Sequence, residues 1–416
     1  MGNNNPVIIG FDGVSALGND LEEQWQRALA GESGIGKLSR FPLKDDFPVR
    51  IAGQVPDIVE TDYPFLSARH QASWSSPVFR YAMLTVARSL ERSGLEITQE
   101  LAPRVAVTYS SAIGGLDAVL HADRRMQAEN KLPLPYSNPN SCINMVGGKI
   151  AIQTGAQGPI VTPVTACATG LTSMITGAMF LAQGKADVAI CGAVDFALVE
   201  PIVAGFYTMN GVYIPKEGQE KEPPETASRP FSINRRGFVI SEGAGCVILA
   251  TPEFARNHGL AFSIELAGWG MTSDAHHFVA PHFATIKQCM NNALTDAGIT
   301  PADIASVNGH AASTRVGDKV EYDAIRAVFG ERMVPVSANK SLIGHAMGAS
   351  SVIESIFSFL GMRDGLLPPT INYNADPDIE IDCVAEGKRN LAQEFSLKNS
   401  FGFGGCNSCA VFKRVK

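Results

Sequence analysis

One cysteine of the chain stands where a thiol can act as a nucleophile. The apolar run VTPVTA, residues 161–166, ends directly before Cys167, and the Gly- and Thr-containing sequence after it predicts a helix. At such a junction, unpaired backbone N–H groups and the positive end of the helix dipole both favour the thiolate. Cys167 is therefore the candidate nucleophile. The alternative is a small buried side chain, which describes most free cysteines.

Two histidines in the second half accompany this cysteine. His310 lies in SVNGHAASTRVGD, and His345 lies in SANKSLIGHAMGAS shortly after Lys340. Each stands where a predicted strand gives way to small residues, the usual location of active groups in α/β sheets. A cysteine and two imidazoles at strand ends can serve acyl transfer, in which the imidazoles stabilise a developing oxyanion. The alternatives are that both histidines are buried structural residues with satisfied hydrogen bonds and that Lys340 is an ordinary surface lysine.

A glycine-rich segment near the C-terminus can approach a ligand closely. Residues 399–405, NSFGFGG, place glycines beside two aromatic side chains, so backbone N–H groups can reach a ligand and Phe403 can gate a pocket. A tight hairpin turn explains the same residues. No G-x-G-x-x-G opens a helix here, which excludes a dinucleotide fingerprint.

Other polar clusters predict no metal centre. Cys406 and Cys409 lack a second cysteine pair, and the histidines within residues 276–282 lack a regular ligand spacing. Asp318 and Glu321 are expected to cap the helix that follows them and to form local salt bridges.

The elements around these residues alternate between β-branched runs and helical patterns, which is typical of βαβ units with largely parallel, covered sheets. The predicted strands are 7–10, 104–109, 160–166, 187–194, 238–249, 262–268, 306–310, 334–338 and 408–413. The predicted helices are 22–30, 78–93, 116–129, 169–183, 286–297, 319–329 and 350–363. Residues 215–229 fit neither period and predict an exposed loop.

The order of elements suggests a loose internal duplication. A strand, a helix rich in small residues and a final pair of strands occur at 160–249 and again at 334–413. We therefore predict two α/β domains, residues 1–255 and 256–416.

Composition narrows the class of protein. The chain has 416 residues, of which 45% are hydrophobic and 18% charged, with a formal net charge of -7. These values exclude disorder and coiled coil, and the lack of a basic block argues against nucleic acid as a partner. The uncharged segment 150–184 contains Pro159 and Pro163 and predicts a buried helix rather than a membrane span. Eight dispersed cysteines and an N-terminus without a secretion signal predict reduced thiols and a cytoplasmic location.

Five motifs in order resemble the β-ketoacyl-acyl carrier protein synthases. They are TACATG around Cys167, PFSINRRGFVISEGAG at 230–245, NGHAASTRVGDKVEYDAI at 308–325, NKSLIGHAMGAS at 339–350 and NSFGFGG at 399–405. The resemblance is strongest to the elongating type II ketosynthases of fatty-acid and polyketide systems. It implies a thiolase-like fold, in which two similar α/β halves stack as five α-β-α-β-α layers and the protein usually forms a dimer.

The resemblance also implies roles for individual residues. Cys167 would take the acyl chain from an acyl carrier protein, while His310 and His345 assist decarboxylation of a malonyl unit. The N–H groups of Cys167 and Phe403 would form the oxyanion hole. The remaining implied residues are Lys340 with Glu354 for the electrostatics, Ile113, Phe206, Phe403 and Thr314 for substrate binding, Arg69 for carrier docking, and Asn308, Glu354, Asn399 and Ser400 around a monovalent cation. No cofactor is implied beyond the phosphopantetheine of the carrier.

Two departures from the family pattern refine the functional expectation. The usual HGTGT or HGTST reads His310-Ala-Ala-Ser-Thr314 here, so a hydroxyl that would contact the pantetheine arm is missing at Ala312. Before the helix predicted at 78–93, few basic residues are present, which predicts weaker carrier docking. We expect a condensing enzyme of a specialised polyketide or polyene pathway, as a homodimer or with a chain-length-factor-like partner. Fatty-acid elongation and a non-catalytic scaffold are the alternatives.

Overall fold

The computed structural model describes residues 5–58, 63–215 and 222–415. The strands in this part of the chain are β1 (Val7–Val14), β2 (Ile35–Lys37), β3 (Ile51–Gly53), β4 (Val105–Ser110), β5 (Val188–Asp195), β6 (Gly243–Ala250), β7 (Ile264–Ser273), β8 (Ile304–Asn308), β9 (Val336–Ser337), β10 (Leu366–Leu367), β11 (Arg389–Asn390), β12 (Phe395–Gly402) and β13 (Cys406–Arg414). The helices are α1 (Leu21–Leu29), α2 (Ala68–Ser73), α3 (Pro77–Ser93), α4 (Leu116–Glu129), α5 (Ser137–Ser141), α6 (Asn144–Thr154), α7 (Thr169–Ala182), α8 (Glu200–Thr208), α9 (Pro252–Asn257), α10 (Phe283–Asp296), α11 (Arg315–Phe329), α12 (Lys340–Ile343) and α13 (Met347–Asp364).

The main sheet repeats one strand order in its two halves. Its full order is β4-β5-β6-β1-β7-β13-β12-β8-β9, and the halves meet where Val7 and Ile8 of β1 pair with Glu265 and Ile264 of β7. Reading outward from that junction, β1, β6, β5 and β4 correspond to β7, β13, β12 and β8. The pairings are mixed, because β5 with β6 and β12 with β13 are antiparallel. The expectation of largely parallel sheets is therefore wrong.

Helices divide the molecule into five layers. α3 and α6 cover the outer face of the first half, and α10 and α11 pack together over the outer face of the second half. α7 and α13 lie between the halves and contact strands of both. Both central helices are buried almost all round, and their many Gly, Ala and Ser residues allow close packing. The expected five-layered, thiolase-like duplication is confirmed.

Several sequence-predicted elements differ from those observed. The predicted strand 160–166 is reduced to one bridge, between Ile160 and Val107, because Pro163 lacks a backbone N–H and the chain turns toward α7. The predicted strand 238–249 is regular only from Gly243. β12, α6 and α8 are absent from the prediction. The loop predicted at 215–229 lies outside the described residues at 216–221, and its end is buried from Ala227 to Arg229, not exposed.

No helix within the described ranges is both long enough and apolar enough to cross a membrane.

Candidate active site

Cys167 lies on a tight turn directly before the central helix α7. The turn spans Ala166–Ala168, and Ala166 has a φ of +49° that L-residues rarely adopt. The Thr169 hydroxyl donates to the Ala166 carbonyl at 2.7 Å, and the Ser400 hydroxyl donates to the Cys167 carbonyl at 3.2 Å. A Cβ at Gly402 would lie 2.3 Å from the Thr165 carbonyl oxygen, so only glycine allows β12 to approach the turn this closely. Both flanks therefore hold the thiol in one position.

His345 faces Cys167 from the other half of the molecule. Its Nε2 lies 3.0 Å from the Cys167 sulfur, and its Nδ1 lies 3.0 Å from the Ser350 hydroxyl. That hydroxyl oxygen accepts the Ala346 N–H at 2.8 Å, so its own hydrogen is available to Nδ1. This hydrogen-bond pattern assigns the ring proton to Nε2, which then acts as a donor toward the cysteine.

His310 completes the group, and a buried carboxylate holds its loop. The rings of His310 and His345 lie 5.7 Å apart between centroids, nearly perpendicular. The carboxylate of Glu321 accepts the His310 N–H at 2.8 Å and the Ala311 N–H at 2.6 Å. Asp318, also buried, accepts the Phe231 and Thr314 N–H groups. Both carboxylates support neighbouring loops from inside the core, and Asp318 also lies 4.0 Å from the guanidinium of Arg235, which is distant in sequence. The expectation of a local salt bridge is therefore wrong for Asp318.

Burial determines the resting charge of the three reactive side chains. It lowers the pKa of His310 and of His345 well below 6.5, and the nearby Lys340 ammonium lowers both further. Burial raises the pKa of Cys167 to about 11, although the Lys340 charge and the Phe403 backbone N–H act in the opposite direction. The expectation of a thiolate is therefore wrong for the resting site, because the loss of solvation outweighs the helix end. Neutral imidazoles can donate hydrogen bonds to a developing oxyanion.

A buried ionic network lies behind the histidines. The Lys340 ammonium donates to the His310 carbonyl at 2.6 Å and to Glu354 Oε1 at 2.7 Å. The second oxygen of Glu354 accepts from the ammonium of Lys398 at 2.6 Å. Burial lowers the pKa of Lys398 to about 8, against the raising effect of Glu354. Lys398 was not among the sequence-predicted residues, and the strand that carries it was not predicted either; its position directly before the segment 399–405 would have been the signal.

The four residues expected around a monovalent cation do not fit one. Both carboxylate oxygens of Glu354 already pair with ammonium groups. The side chain of Asn399 bonds to Glu321 and Cys409, and the Ser400 hydroxyl bonds to Cys167. Of this set, Asn308 keeps a buried Oδ1 with no hydrogen-bond partner among the described residues. One free amide oxygen is a poor shell for a cation, and the two ammonium groups on Glu354 would repel it.

A largely apolar cavity of about 680 Å³ leads to the reactive group. Cys167, His310 and His345 line it, together with four residues expected to bind substrate: Ile113, Phe206, Thr314 and Phe403. Phe238 and Met347, for which the sequence motifs implied no role, also line the cavity. The ring of Phe238 lies edge to face with His345, with centroids 5.3 Å apart.

Residues outside the expected set shape the cavity and its entrance. Asp195 is buried and accepts the Ile113 N–H at 3.0 Å and the Gly348 N–H at 2.8 Å. It therefore connects the loop that carries Ile113 to the first turn of α13. A carboxylate at the end of a buried apolar strand was its sequence signal. Arg236 and Arg315 line the cavity, and Arg315 begins α11 and is exposed. Arg69 is exposed on α2 and does not line the cavity.

The duplicated fold, with a thiol and an imidazole meeting between its halves, defines a thiolase-like acyltransferase. The model of the β-ketoacyl synthase N-terminal domain matches residues 4–255, and that of the C-terminal domain matches residues 264–374. The chain therefore belongs to the β-ketoacyl synthase family, whose members are condensing enzymes. The family and enzyme class expected from the motifs are confirmed.

Individual relatives cover the whole chain. It is 36% identical to the 3-oxoacyl-[acyl-carrier-protein] synthase 2 of Coxiella burnetii, with 98% of both chains aligned, and 35% identical to that of Vibrio harveyi, also with 98% of both. A solved type II polyketide ketosynthase, in complex with its acyl-carrier protein and bound to the hexaketide, matches with a TM-score of 0.90, 25% identity and 100% of both chains. The ishigamide ketosynthase/chain length factor matches with a TM-score of 0.88, 26% identity and 100% of both chains.

Proposed function

We propose that the protein condenses an acyl chain, held as a thioester on Cys167, with a malonyl unit carried by an acyl carrier protein. The observation that carries this proposal is the 3.0 Å contact between the Cys167 sulfur and His345 Nε2 at the end of an apolar cavity. The synthase relatives are named for acyl-carrier-protein substrates, which supports the same carrier for this chain.

In the first half-reaction the acyl group moves from the carrier to the enzyme. The Cys167 sulfur attacks the thioester carbonyl as it loses its proton, and the carrier thiol leaves with a proton. The backbone N–H groups of Cys167 and Phe403, which lie beside the sulfur, hold the oxyanion of the tetrahedral intermediate. Because the resting thiol is protonated, attack requires its proton to leave as the S–C bond forms.

In the second half-reaction the malonyl thioester loses carbon dioxide. Its electrons move onto the thioester oxygen, where neutral His310 and His345 donate hydrogen bonds to the enolate. The resulting carbon nucleophile attacks the acyl carbonyl on Cys167, a new C–C bond forms, and the cysteine sulfur leaves and regains its proton. Each imidazole donor contributes about 3 kcal/mol to transition-state stabilisation.

The entrance to the cavity supports recognition of a carrier-bound phosphopantetheine. Arg315 at the first turn of α11 is exposed and lines the cavity, and its positive charge suits the phosphate of the arm. Thr314 supplies a hydroxyl nearby, while Ala312 lacks the usual one. Arg69, exposed on α2, is the proposed contact for the acidic carrier surface. No other cofactor is proposed.

We propose a specialised polyketide or polyene pathway rather than fatty-acid elongation. The missing hydroxyl at Ala312 and the sparse basic residues beside Arg69 support that assignment. Fatty-acid elongation remains the second candidate, because the curated relatives given above are synthases of the fatty-acid type at 35% and 36% identity.

Mass spectrometry of the intact protein, with peptide mapping, tests both levels of the proposal. The enzyme is incubated with saturated, polyunsaturated and ketide thioesters of an acyl carrier protein. Acyl transfer to Cys167 with a preference for unsaturated or ketide chains is expected. Faster transfer of saturated chains would support fatty-acid elongation, and no adduct on Cys167 with any donor would contradict the proposal.

We further propose that a second chain of the same fold covers the outer edge of the first half. At that edge, Val107 of β4 pairs with Ile160, and Ile152, Ile160 and Val164 are exposed. An apolar sheet edge favours pairing with another chain. The partner is a second copy or a chain-length-factor-like subunit. All eight cysteines are unpaired, which supports a reducing cytoplasmic location.

Light scattering measures whether two chains associate at the outer edge of the first half. The wild-type protein is expected to have the mass of a dimer, and Ile152→Glu with Ile160→Glu is expected to give a monomer. Met333→Glu, which changes an exposed apolar residue elsewhere, is the matched control. A monomeric wild type that also stays monomeric with a chain-length-factor-like subunit would contradict the proposal.

A further inference from the structure

Lys398 occupies a place where strands bury apolar side chains. It lies in the middle of β12, between Asn308 on β8 and Ala410 on β13. Its neighbours Leu397 and Asn399 point to the outer layer, where Leu397 joins the apolar core and Asn399 bonds to Glu321. Since side chains alternate along a strand, Lys398 points inward to the central helices, and it is 0% exposed. A buried lysine is stable only with matched acceptors.

The acceptors of Lys398 belong to the network that supports His310. Its ammonium lies 2.6 Å from Glu354 Oε2 and 3.5 Å from the Gly309 carbonyl oxygen. Lys340 binds the other oxygen of Glu354 and the carbonyl of His310. The two lysines therefore donate to the carbonyls of consecutive residues, Gly309 and His310, in the loop that carries the catalytic imidazole.

The charges in this layer balance only when Lys398 is counted. Lys340 and Lys398 contribute two positive charges, and Glu354 and Glu321 can contribute two negative ones. Without Lys398, one carboxylate oxygen of Glu354 and the Gly309 carbonyl would be buried acceptors facing a net negative charge. Such a set of oxygens is suited to a hard monovalent cation.

We propose that the ammonium of Lys398 is a built-in cation, which positions Glu354 and the His310 loop so that this enzyme works without a bound monovalent metal ion. Lys398 is a positioning residue, because it reaches the reacting atoms only through Glu354 and Gly309. The proposal explains why three of the four residues expected around a cation, Glu354, Asn399 and Ser400, have their side chains otherwise committed. Its kinetic part rests on the condensing activity proposed above, whereas its cation-binding part does not.

Thermal unfolding and condensation kinetics in KCl or in tetramethylammonium chloride, at equal ionic strength, test this proposal. Both quantities are expected to be the same in the two salts for the wild type. Lys398→Ala is expected to unfold at a lower temperature in tetramethylammonium, and its unfolding temperature should rise with the logarithm of K⁺ concentration as the ion fills the vacated site. Its kcat should fall about tenfold in tetramethylammonium and recover in K⁺.

Two further variants separate charge from packing. Lys398→Met keeps the volume of the stem but lacks the charge and blocks the site, so it should lose activity without rescue by K⁺. Lys413→Met removes the same charge from a partly exposed position on the neighbouring strand β13. Its unfolding temperature and kcat should be the same in KCl and in tetramethylammonium chloride.

Two outcomes would overturn the inference. One is a wild type whose unfolding temperature rises when K⁺ replaces tetramethylammonium, which needs no variant to fold. The other is Lys398→Ala that folds and ignores K⁺. If the chain did not condense malonyl units at all, the unfolding data would still decide between a lysine and a metal ion at this position.

Discussion

The two halves of the molecule place equivalent helix ends opposite each other, but the side chains around the two helix ends differ. Cys167 lies just before α7, and His345 lies just before α13, the corresponding central helix. Around Cys167 the supporting hydrogen bonds come from hydroxyl and backbone groups, such as those of Thr169 and Ser400. Behind His345 and His310 the second half carries the ionic network of Lys340, Glu354 and Lys398.

The difference indicates that the duplicated fold brings the thiol and the imidazoles close together. The charged side chains of the second half then set the electrostatic environment of the two histidines. A nucleophile needs a fixed position and nearby N–H donors, which backbone geometry provides. Two histidines that must remain neutral donors need a dry site in which nearby ammonium groups oppose their protonation.

The largest effect is expected for Cys167→Ala. It should abolish condensation and acyl-enzyme formation while the unfolding temperature stays near that of the wild type, because a small buried side chain replaces another. Cys406→Ser, at the first residue of β13 after the Phe403 turn, should retain full activity. Condensation by Cys167→Ala would refute the assignment of the nucleophile.

The second largest effect is the pH dependence of Cys167 alkylation by iodoacetamide. Because burial raises the pKa of Cys167 to about 11, the thiolate fraction should rise about tenfold per pH unit below that value. The rate should therefore increase about a thousandfold between pH 7 and pH 10. Lys340→Met should slow alkylation at every pH, since the Lys340 charge lowers this pKa.

Peptide mapping separates alkylation of Cys167 from that of exposed Cys142. A rate that is already maximal near pH 7 would indicate that the first half alone stabilises a thiolate.

His345→Ala is expected to lower kcat by about a hundredfold to a thousandfold, because one oxyanion donor is lost. Acyl transfer to Cys167 should be less affected than decarboxylation of the malonyl unit, since the N–H groups of Cys167 and Phe403 remain. Rapid-quench measurements of the two half-reactions give the ratio. Equal losses in both would show that the imidazole serves the nucleophile as much as the enolate.

A smaller effect, about tenfold in kcat, is expected for Glu321→Gln. The amide would keep one acceptor for the His310 loop and turn a donor toward the second N–H, which loosens the loop without removing any reacting group. The Michaelis constant for the acyl donor should stay within about twofold of the wild type. A raised Michaelis constant with unchanged kcat would contradict this positioning role.

Local pattern predicted the parts of the fold that periodicity controls. The central helix at α7 and the strands β4, β5 and β8 lie close to their predicted bounds. β12 was not predicted, because the alternation of apolar and polar residues in its sequence FSLKNSFG stops after four residues. Its lysine is buried by an ion pair with Glu354, which is distant in sequence. The segment 160–166 has strand composition, but its prolines and the turn into α7 prevent regular pairing.

Within the site, the sequence motifs identified which side chains are present, but they did not predict the burial or the protonation of those side chains. The structure brings Cys167, His310, His345 and Phe403 to one cavity, as the motifs implied. The protonation of Cys167 and the inward role of Glu321 were not predictable, since each depends on burial between elements far apart in the chain.

The sequence by itself determined which residues carry reactive groups and that two α/β halves hold them, because motifs and hydrophobic periods are local properties. Only the tertiary structure decided that two helix ends meet at a thiol and an imidazole, and that a lysine of β12 pairs with Glu354 inside the core. The physical reason is that burial and charge pairing are sums over neighbours from the whole chain, and these sums exist only once the layers have packed.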